Sequence, residues 1–254
     1  MGTGLVPDSR TIIAGLWIFA GYYLGAKIGF ALTFEPRPVS VLWPPNAILT
    51  ATLLLTRPQG WWIILLAALP AHWAAQLESQ VPPLMILSWF ISNCCEALIG
   101  AGLARYLIKG PVRLTNLRNV AIFGLCVVFA GPFLSSFLDA ALVRWNDWGS
   151  GSYWELWRIR LTSNILASLT VASLIVTWAT TGFAALRSAP KRRWAEAILL
   201  LLGLGFACFA AFHARGSGTG SALLYLPLPF LLWAAVRFGA YRSEERRVGK
   251  ECRL

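Results

Sequence analysis

Long apolar runs, separated by short polar or charged breaks, dominate the chain between Thr11 and Ala240. The runs are continuous, and they lack the alternation of apolar and polar positions that marks a strand of a membrane β-barrel. A helix needs roughly 20 apolar residues to cross a bilayer core of about 30 Å. The pattern predicts eight membrane-spanning helices: Thr11–Leu32, Val39–Thr56, Gly60–Leu77, Leu84–Tyr106, Val120–Ala141, Leu156–Trp178, Trp194–Phe212 and Ser221–Ala240.

The amino-acid composition excludes most other classes of protein. Of the 254 residues, 57% are hydrophobic and 13% are charged, against about 45–50% and about 25% in a soluble domain. Too few polar side chains remain to cover a soluble core of that size. The net charge is +11, yet the basic residues fall between the apolar runs and form no patch that would bind nucleic acid. We therefore predict an all-α, polytopic integral membrane bundle whose partner is the lipid bilayer and not nucleic acid.

Lysine and arginine are distributed unevenly over the predicted loops, and this asymmetry sets the orientation. With the N-terminus in the cytoplasm, eleven lie on the inner side and at most five on the outer side. The inner residues are Arg10, Arg57, Arg105, Lys109, Arg113, Arg118, Arg187, Lys191, Arg192, Arg193 and Arg237. The outer residues are Arg37, Arg144, Arg158, Arg160 and Arg215. The sequence thus predicts that both termini are cytoplasmic.

Ionisable side chains inside a predicted span are energetically costly and mark functional or structural sites. Glu96 lies near the middle of the fourth span, so it is either a functional group or a neutral carboxylic acid with a structural role, hydrogen-bonded inside the bundle. Lys27 lies near the outer end of the first span, where a long side chain also reaches the interface by snorkelling. Asp139 lies close to the outer end of the fifth span, near the depth of Arg158 and Arg160 at the start of the sixth. An ion pair across this hairpin is the structural interpretation of Asp139.

Four of these side chains and one amide are predicted to collect in the outer leaflet of the membrane: Lys27, Asp139, Arg158, Arg160 and the amide of Asn164. Trp43, Pro44, Pro45 and Asn46 enter the second span at the same level. The two prolines remove backbone donors and leave carbonyl groups that need partners, as in the broken helices that line cavities. The sequence therefore predicts a polar vestibule that faces outward.

Two further features each have more than one interpretation. Gly21, Gly25 and Gly29 are spaced four residues apart and form a small-residue seam. Such a seam serves close packing within the chain or the formation of a homodimer. His72, in the third span, is a hydrogen-bonded core histidine, a ligand or a proton relay, and we expect the first of these.

No motif for catalysis or cofactor binding is present. The chain contains no Walker-type phosphate loop, no Gly-x-Ser-x-Gly elbow and no His-Glu-x-x-His pair. Only two histidines and no Cys-x-x-Cys pair occur, so the ligand spacing of a zinc site is absent. We expect that the chain is not an enzyme and that it holds neither a metal nor a cofactor.

Four short motifs occur in order along the chain. They are Tyr23-Leu24-Gly25-Ala26-Lys27 in the first predicted span, Val41-Leu42-Trp43-Pro44-Pro45 at the second, Asn93 with Glu96-Ala97 and Gly100-Ala101 in the fourth, and Leu226-Pro227 with Trp233-Ala234 and Arg237-Phe238-Gly239 in the eighth. Together they resemble the bacterial membrane-associated sensor domain of the MASE type-1 family. The resemblance extends from Tyr23 to Gly239, nearly the whole chain.

The resemblance implies a multi-pass sensory domain of the bacterial inner membrane, placed before a histidine kinase, a diguanylate cyclase or a related output domain. The ligands of this family are mostly undefined, so the signal is unknown and no binding residue is assigned. Where family members commonly carry a Trp-Leu-Gly-Asp motif in the sixth span, this chain has Arg158, Arg160, Ser163 and Asn164. The candidate sensing or structural residues are Lys27, Trp43, Pro44, Pro45, Asn46, Asn93, Glu96, Asp139, Arg158, Arg160, Asn164 and Arg237.

The residues after Tyr241 depart from the membrane pattern. The segment 242–252 resembles a translated sequencing adapter, with an ordinary charged cytoplasmic tail as the alternative. We accordingly expect a membrane sensor domain at 1–241 and an artefact at 242–254, with the output domain missing from this sequence.

A transporter is the alternative function that the sequence leaves open. Polar residues at membrane depth and helices broken by proline also suit a small transporter or a substrate-handling membrane protein. No convincing repeat relates the first four predicted spans to the last four, which favours the sensor.

Overall fold

The structure is a computed structural model that describes residues 9–33, 40–77, 81–148, 151–181, 190–213, 229–230 and 233–234. Apart from one isolated bridge between Thr33 and Ser40, regular structure in these residues is helical. The seven main helices of the described residues are α1 Ser9–Ala31, α2 Pro44–Leu55, α3 Trp61–Gln76, α4 Pro83–Ile108, α5 Leu117–Trp145, α6 Tyr153–Thr180 and α7 Lys191–His213. The chain divides into two compact units, 1–182 with α1–α6 and 183–254 with α7.

Four helical segments in the described part of the chain are long and apolar enough to cross a membrane. They are α4, α5, α6 and the segment Lys191–Ala210 of α7, with mean hydropathies of 1.6 to 2.1. The prediction of an all-helical fold is confirmed in the described residues, and these four helices have the length and apolar composition of membrane spans. Helices also occupy the first and third predicted spans, as α1 and α3. Most of the eighth predicted span, Ser221–Ala240, lies outside the described residues.

Helix α2 begins later than the apolar run of the second predicted span. The helix starts at Pro44 and not at Val39, because Trp43 precedes a proline and adopts φ −113° and ψ 82°. Proline disfavours the helical region for the residue before it, whereas proline itself suits the first helical turn. With 12 residues, α2 is about 18 Å long at about 1.5 Å per residue, shorter than a bilayer core of about 30 Å. The predicted second span is thus a short helix preceded by extended chain.

Helix α2 occupies the centre of the first unit. It packs against α1, α3, α4 and α6, and Ala47, Leu49, Ala51 and Leu53 are fully buried. Its last carbonyl groups are satisfied by neighbours, since Trp61 Nε1 donates to Leu53 O at 2.9 Å and the Arg105 guanidinium donates to Leu54 O at 3.2 Å. Neighbouring helices therefore surround most of this short helix, and side chains of α3 and α4 cover its C-terminal end.

The helices α4 and α5 approach each other through glycine. A Cβ atom on Gly131 of α5 would lie 3.1 Å from the Glu96 carbonyl oxygen and 3.4 Å from the Cα atom of Gly100, both on α4. The π-helical turn Gly124–Ala130 immediately precedes this contact. Because no side chain separates the two backbones at Gly131, a side chain one turn later on α5 is close enough to contact α4.

The glycine seam of α1 is used within the chain. A Cβ atom on Gly29 would lie 2.6 Å from the Trp43 ring, and one on Gly25 would lie 2.8 Å from Ile48. Gly21 also faces Ile48. Of the two interpretations of the seam, close packing of α1 on α2 is the one that the structure contains.

Many large apolar side chains lie on the outside of the first unit, and small ones lie at many of the places where its helices meet. Leu16, Trp17 and Leu66 are 70%, 74% and 59% exposed, whereas Ala68 and Ala101 are completely buried. Helix association in lipid depends on such close contacts between small residues, because lipid tails solvate large apolar groups well. This distribution is typical of a membrane protein.

Candidate functional site

The carboxylate of Glu96 is the centre of a polar cluster inside the first unit. Its Oε2 atom accepts hydrogen bonds from Asn164 Nδ2 at 2.7 Å, Asn46 Nδ2 at 2.8 Å and Ser135 Oγ at 3.1 Å. All four side chains are at most 6% exposed. We call these residues the Glu96 cluster. A single acceptor atom on α4 thereby connects α2, α5 and α6.

Each donor reaches Glu96 through a local feature of its own helix. Asn46 is the third residue of α2, so the late start of that helix at Pro44 places it in the first turn. Ser135 lies one turn after Gly131, where α5 meets the backbone of Glu96. Asn164 lies one turn before the π-helical turn Ser168–Ala172 of α6. Such π-turns recur at functional sites because the extra residue rotates the face that a helix presents.

The Glu96 cluster keeps unused hydrogen-bonding capacity. Within the described part of the chain, Glu96 Oε1, Asn46 Oδ1 and Asn164 Oδ1 have no hydrogen-bond partner. All three atoms are acceptors when the carboxyl group is ionised. In a medium of low dielectric each hydrogen bond is strong and each unpaired polar group is costly, so the energy of such a network changes markedly when one of its groups moves. The arrangement is therefore sensitive to small displacements of its helices.

An ion pair lies beside this cluster. Arg160 Nε is 2.8 Å from Asp139 Oδ2, and the guanidinium group lies 5.4 Å from the centre of the Trp89 ring. Asp139 is 3% exposed and the Arg160 side chain is 19% exposed. We call Trp89, Asp139 and Arg160 the Arg160 cluster. The ion pair that the sequence suggested between the fifth and sixth spans is present and links α5 to α6.

On each of α4, α5 and α6, a member of the Glu96 cluster lies about one helical turn from a polar residue of the neighbouring networks. The pairs are Asn93 and Glu96 on α4, Ser135 and Asp139 on α5, and Arg160 and Asn164 on α6. One turn of helix corresponds to a rise of about 5.4 Å. Since the helices are stiff over one turn, a displacement at one level is transmitted to the other.

A second polar network connects α1, α3 and α4. Asn93 Nδ2 donates to the Tyr22 hydroxyl at 2.9 Å, and this hydroxyl lies 3.1 Å from His72 Nδ1. His72 Nε2 lies 3.0 Å from the Ile86 carbonyl and 2.7 Å from the Gln76 amide nitrogen. With its hydrogen on Nε2 the imidazole donates to Ile86, and with its hydrogen on Nδ1 it accepts from Gln76 and donates to Tyr22. The expectation that His72 is a hydrogen-bonded core histidine is confirmed.

Some of the predicted residues lie apart from these networks. The Lys27 ammonium group is 5.7 Å from the centre of the Tyr23 ring, one turn earlier on α1. Arg158 is exposed on α6, so it does not enter the predicted polar vestibule. Pro44 and Pro45 are buried in the first turn of α2. Arg237 lies outside the described residues.

Sequence reasoning missed several members of these networks. Ser135, Tyr22 and Trp89 each contact a residue that the sequence had singled out. Serine and tyrosine are common in apolar helices and carry no charge, so their types alone gave little reason to select them. The position of Ser135 four residues after Gly131 in a mostly apolar helix was the available signal.

The described residues contain no group of three or more His, Cys, Asp or Glu side chains that would hold a metal ion. The polar side chains instead connect helices, and the Glu96 and Arg160 clusters together join α2, α4, α5 and α6. An arrangement of this kind is suited to detecting and transmitting changes in helix packing.

Comparison with known proteins gives one match. The sequence profile of the MASE1 family matches residues 14–243, nearly the whole chain. No curated protein and no solved structure matches the chain.

Proposed function

The chain belongs to the MASE1 family of membrane-associated sensor domains, and from this premise we propose that it is the sensory domain of a bacterial signalling protein. A signal within the membrane or at its outer face changes the packing of the helices. The change passes to a C-terminal cytoplasmic kinase or diguanylate cyclase. The membrane domain itself carries no catalytic activity and needs no cofactor.

The observation that supports this proposal most directly is the hydrogen bonding of Glu96. Its Oε2 atom takes one donor from each of α2, α5 and α6. Moving any of these helices breaks a buried hydrogen bond or forces the donors to rearrange around the carboxylate. A signal needs only to favour one of two such arrangements to shift their populations. Through Glu96, a change in the position of one helix would thus affect the positions of the others.

The proposal includes the topology that the loop charges predict. The chain crosses the bacterial inner membrane eight times, with both termini in the cytoplasm, because lysine and arginine concentrate on the cytoplasmic side. In this orientation the start of α2 and the Arg160 cluster lie toward the periplasm. If the domain forms a homodimer, its interface is a surface other than the glycine seam of α1, since α2 covers that seam.

A fusion protein tests the sensor proposal. The chain, ending at Tyr241, is joined to a diguanylate cyclase catalytic domain, and cyclic di-GMP is measured in cells. Glu96→Ala is expected to change the output by about threefold or more, because removing the shared acceptor shifts the balance between helix arrangements by about 0.6 kcal/mol or more. The matched control is Leu98→Ala, two residues away on α4 and 38% exposed.

The comparison is made at equal amounts of fusion protein in the membrane fraction. The control is expected to keep the parental output, because Leu98 faces away from the Glu96 cluster. An unchanged output in Glu96→Ala, with the protein correctly inserted, would contradict the role of Glu96 in signalling.

Transport is the second candidate function, and the form of α2 is the observation that favours it. A short central helix preceded by extended chain is a device that transporters use to hold a substrate at membrane depth. Uptake of radiolabelled small carboxylates, amino acids and sugars into proteoliposomes distinguishes the two functions. Accumulation above that of empty liposomes would favour transport over sensing.

A further inference from the structure

A cavity of about 60 Å³ lies in the first unit where the extended chain leads into α2. Its lining includes Ser40 and Trp43 from this segment, Trp89 and Asn93 from α4, and Arg160 from α6. Irregular backbone at membrane depth is tolerated where it is buried in protein or lines a cavity. Because α2 starts only at Pro44, the extended residues Ser40 and Trp43 form part of the cavity wall.

We propose that this cavity binds a small carboxylate, of which acetate is the simplest example. The proposal rests on the sensor function above and names the class of ligand that the sensor detects. Three properties of the cavity carry it: its volume, the charge of Arg160, and two buried indole N–H groups.

The volume limits the ligand to a few atoms. A water molecule needs about 10–15 Å³ of such space, so 60 Å³ holds roughly four groups of that size. Drug-sized ligands occupy about 300–1,000 Å³. A nucleotide or a sugar phosphate is therefore excluded as a fully enclosed ligand, whereas the four heavy atoms of acetate match the space.

The charge of the lining favours an anion. None of the described lining residues is acidic, and Arg160 brings a guanidinium group with five N–H donors. Its ion pair with Asp139 uses Nε, and even a bidentate pair would occupy only two of the five donors. The remaining donors form the planar fork that a second carboxylate fits. Because Asp139 offsets part of the positive charge, a monoanion suits the site better than a phosphate dianion.

Two tryptophans supply further donors. Trp43 Nε1 and Trp89 Nε1 are buried and have no hydrogen-bond partner within the described residues. An indole N–H donates but does not accept, and a buried donor without an acceptor is unfavourable. Both rings line the cavity, so carboxylate oxygens bound there would provide the acceptors. Trp43 is only 8% exposed, which holds its ring in place before a ligand arrives.

The cavity is positioned to influence the Glu96 cluster. Trp43 precedes Asn46 by three residues, Asn93 precedes Glu96 by three, and Arg160 precedes Asn164 by four. A ligand that draws Arg160 and Trp43 together would therefore move α6 and α2. This movement would occur about one helical turn, or about 5.4 Å, away from the shared carboxylate. Binding and signalling would in this way involve the same helices.

Binding is measured on the purified full chain in lipid nanodiscs with ¹⁵N-labelled tryptophan. The chain has 13 tryptophans, and the indole resonances of Trp43 and Trp89 are assigned by Trp→Phe substitution. Sodium acetate is expected to shift these two resonances saturably, while sodium chloride at equal ionic strength leaves them unchanged. An absence of saturable shifts, or the same shifts with chloride, would overturn the proposal.

Variants test the assignment of residues. The double variant Arg160→Gln, Asp139→Asn removes both charges but keeps a neutral hydrogen-bonding pair, and it should weaken acetate binding by about tenfold or more, the loss expected for a hydrogen bond to a charged group. Arg158→Gln, on the exposed side of the same helix, should bind like the parent. Unchanged affinity in the double variant would refute the role of Arg160.

Two further measurements keep the result interpretable. The other indole resonances report whether the double variant is folded. If it is not, Trp89→Phe replaces it. This change keeps an aromatic ring at the position but removes the indole N–H, and it should weaken binding by about threefold or more, as for loss of a neutral hydrogen bond. Parental affinity in Trp89→Phe would then overturn the proposed contact.

The cyclase fusion separates the failure of this proposal from that of the sensor function. Acetate that binds with the expected shifts but leaves cyclic di-GMP unchanged would support the site and contradict the sensor proposal. Output that depends on Glu96 without any acetate binding would support the sensor and refute the carboxylate site.

Discussion

At the scale of single residues, Glu96 shows how an ionisable side chain is accommodated inside an apolar bundle. Its Oε2 atom accepts from Asn46, Ser135 and Asn164, and each of these donors comes from a different helix. Three donors directed at one atom replace the water that a carboxylate would bind in solution. The same arrangement makes the three donors dependent on one acceptor.

Replacing Glu96 by alanine should therefore destabilise the folded bundle. The substitution removes three buried hydrogen bonds, and at about 0.6 kcal/mol each in a membrane protein the loss is about 2 kcal/mol. Reversible unfolding in bicelles measures this free energy. Lys27→Met is the control, because Lys27 lies on the Tyr23 ring of its own helix and not in the Glu96 cluster. A loss for Glu96→Ala no larger than for Lys27→Met would contradict this explanation.

At the scale of elements, the contact between α4 and α5 depends on glycine at one position and tolerates a side chain at another. A Cβ atom on Gly131 would lie 3.1 Å from the Glu96 carbonyl oxygen, whereas one on Gly124, seven residues earlier on α5, would meet nothing within 4 Å. The same chemical substitution is therefore expected to have opposite effects at the two sites.

Gly124→Ala should stabilise the protein by about 0.5–1 kcal/mol, because alanine has the higher helix propensity. Gly131→Ala should destabilise it by about 1 kcal/mol or more, because the α4 backbone must move away from the added methyl group. Thermal unfolding of both variants in the same detergent is the measurement. Equal changes in melting temperature would show that α4 and α5 are not in close contact at Gly131.

Helix α2 illustrates a second property of elements, the influence of neighbouring prolines on where a helix begins. Its apolar run starts before Pro44, yet the helix does not, because proline restricts the residue that precedes it. The displaced start leaves Ser40 and Trp43 to line the cavity. It also determines the level at which Asn46 meets Glu96.

At the scale of the whole molecule, the charges of the loops predict the orientation in the membrane. Reporter fusions after Lys109, Arg193 and Tyr241 should be cytoplasmic, and fusions after Gln80 and Trp148 periplasmic, because the cytoplasmic loops carry the excess of lysine and arginine. Alkaline phosphatase and green fluorescent protein at the same positions give complementary signals. A periplasmic signal after Tyr241 would mean that the number of spans is odd and would contradict the proposed route to a cytoplasmic output.

The sequence by itself determined the class of this protein and most of the positions of its helices. Continuous apolar runs and a low content of charge are sufficient for a helical membrane protein, because each span must satisfy its own backbone hydrogen bonds. The same local information identified Glu96, Asn46, Asp139, Arg160 and Asn164 as unusual, since polar groups at membrane depth are rare. These conclusions depend on residue types and on their separation along the chain.

The tertiary structure alone decided which of these residues meet. A helix that is apolar on all sides does not indicate from its sequence which face is turned inward, so the rotation and depth of each helix follow from packing. The contact at Gly131 determines that Ser135 reaches Glu96, and the start of α2 at Pro44 determines that Asn46 does. Lys27 and Arg158 were equally conspicuous in the sequence, but the first lies against Tyr23 and the second is exposed. The Glu96 cluster is therefore a product of the way these helices pack.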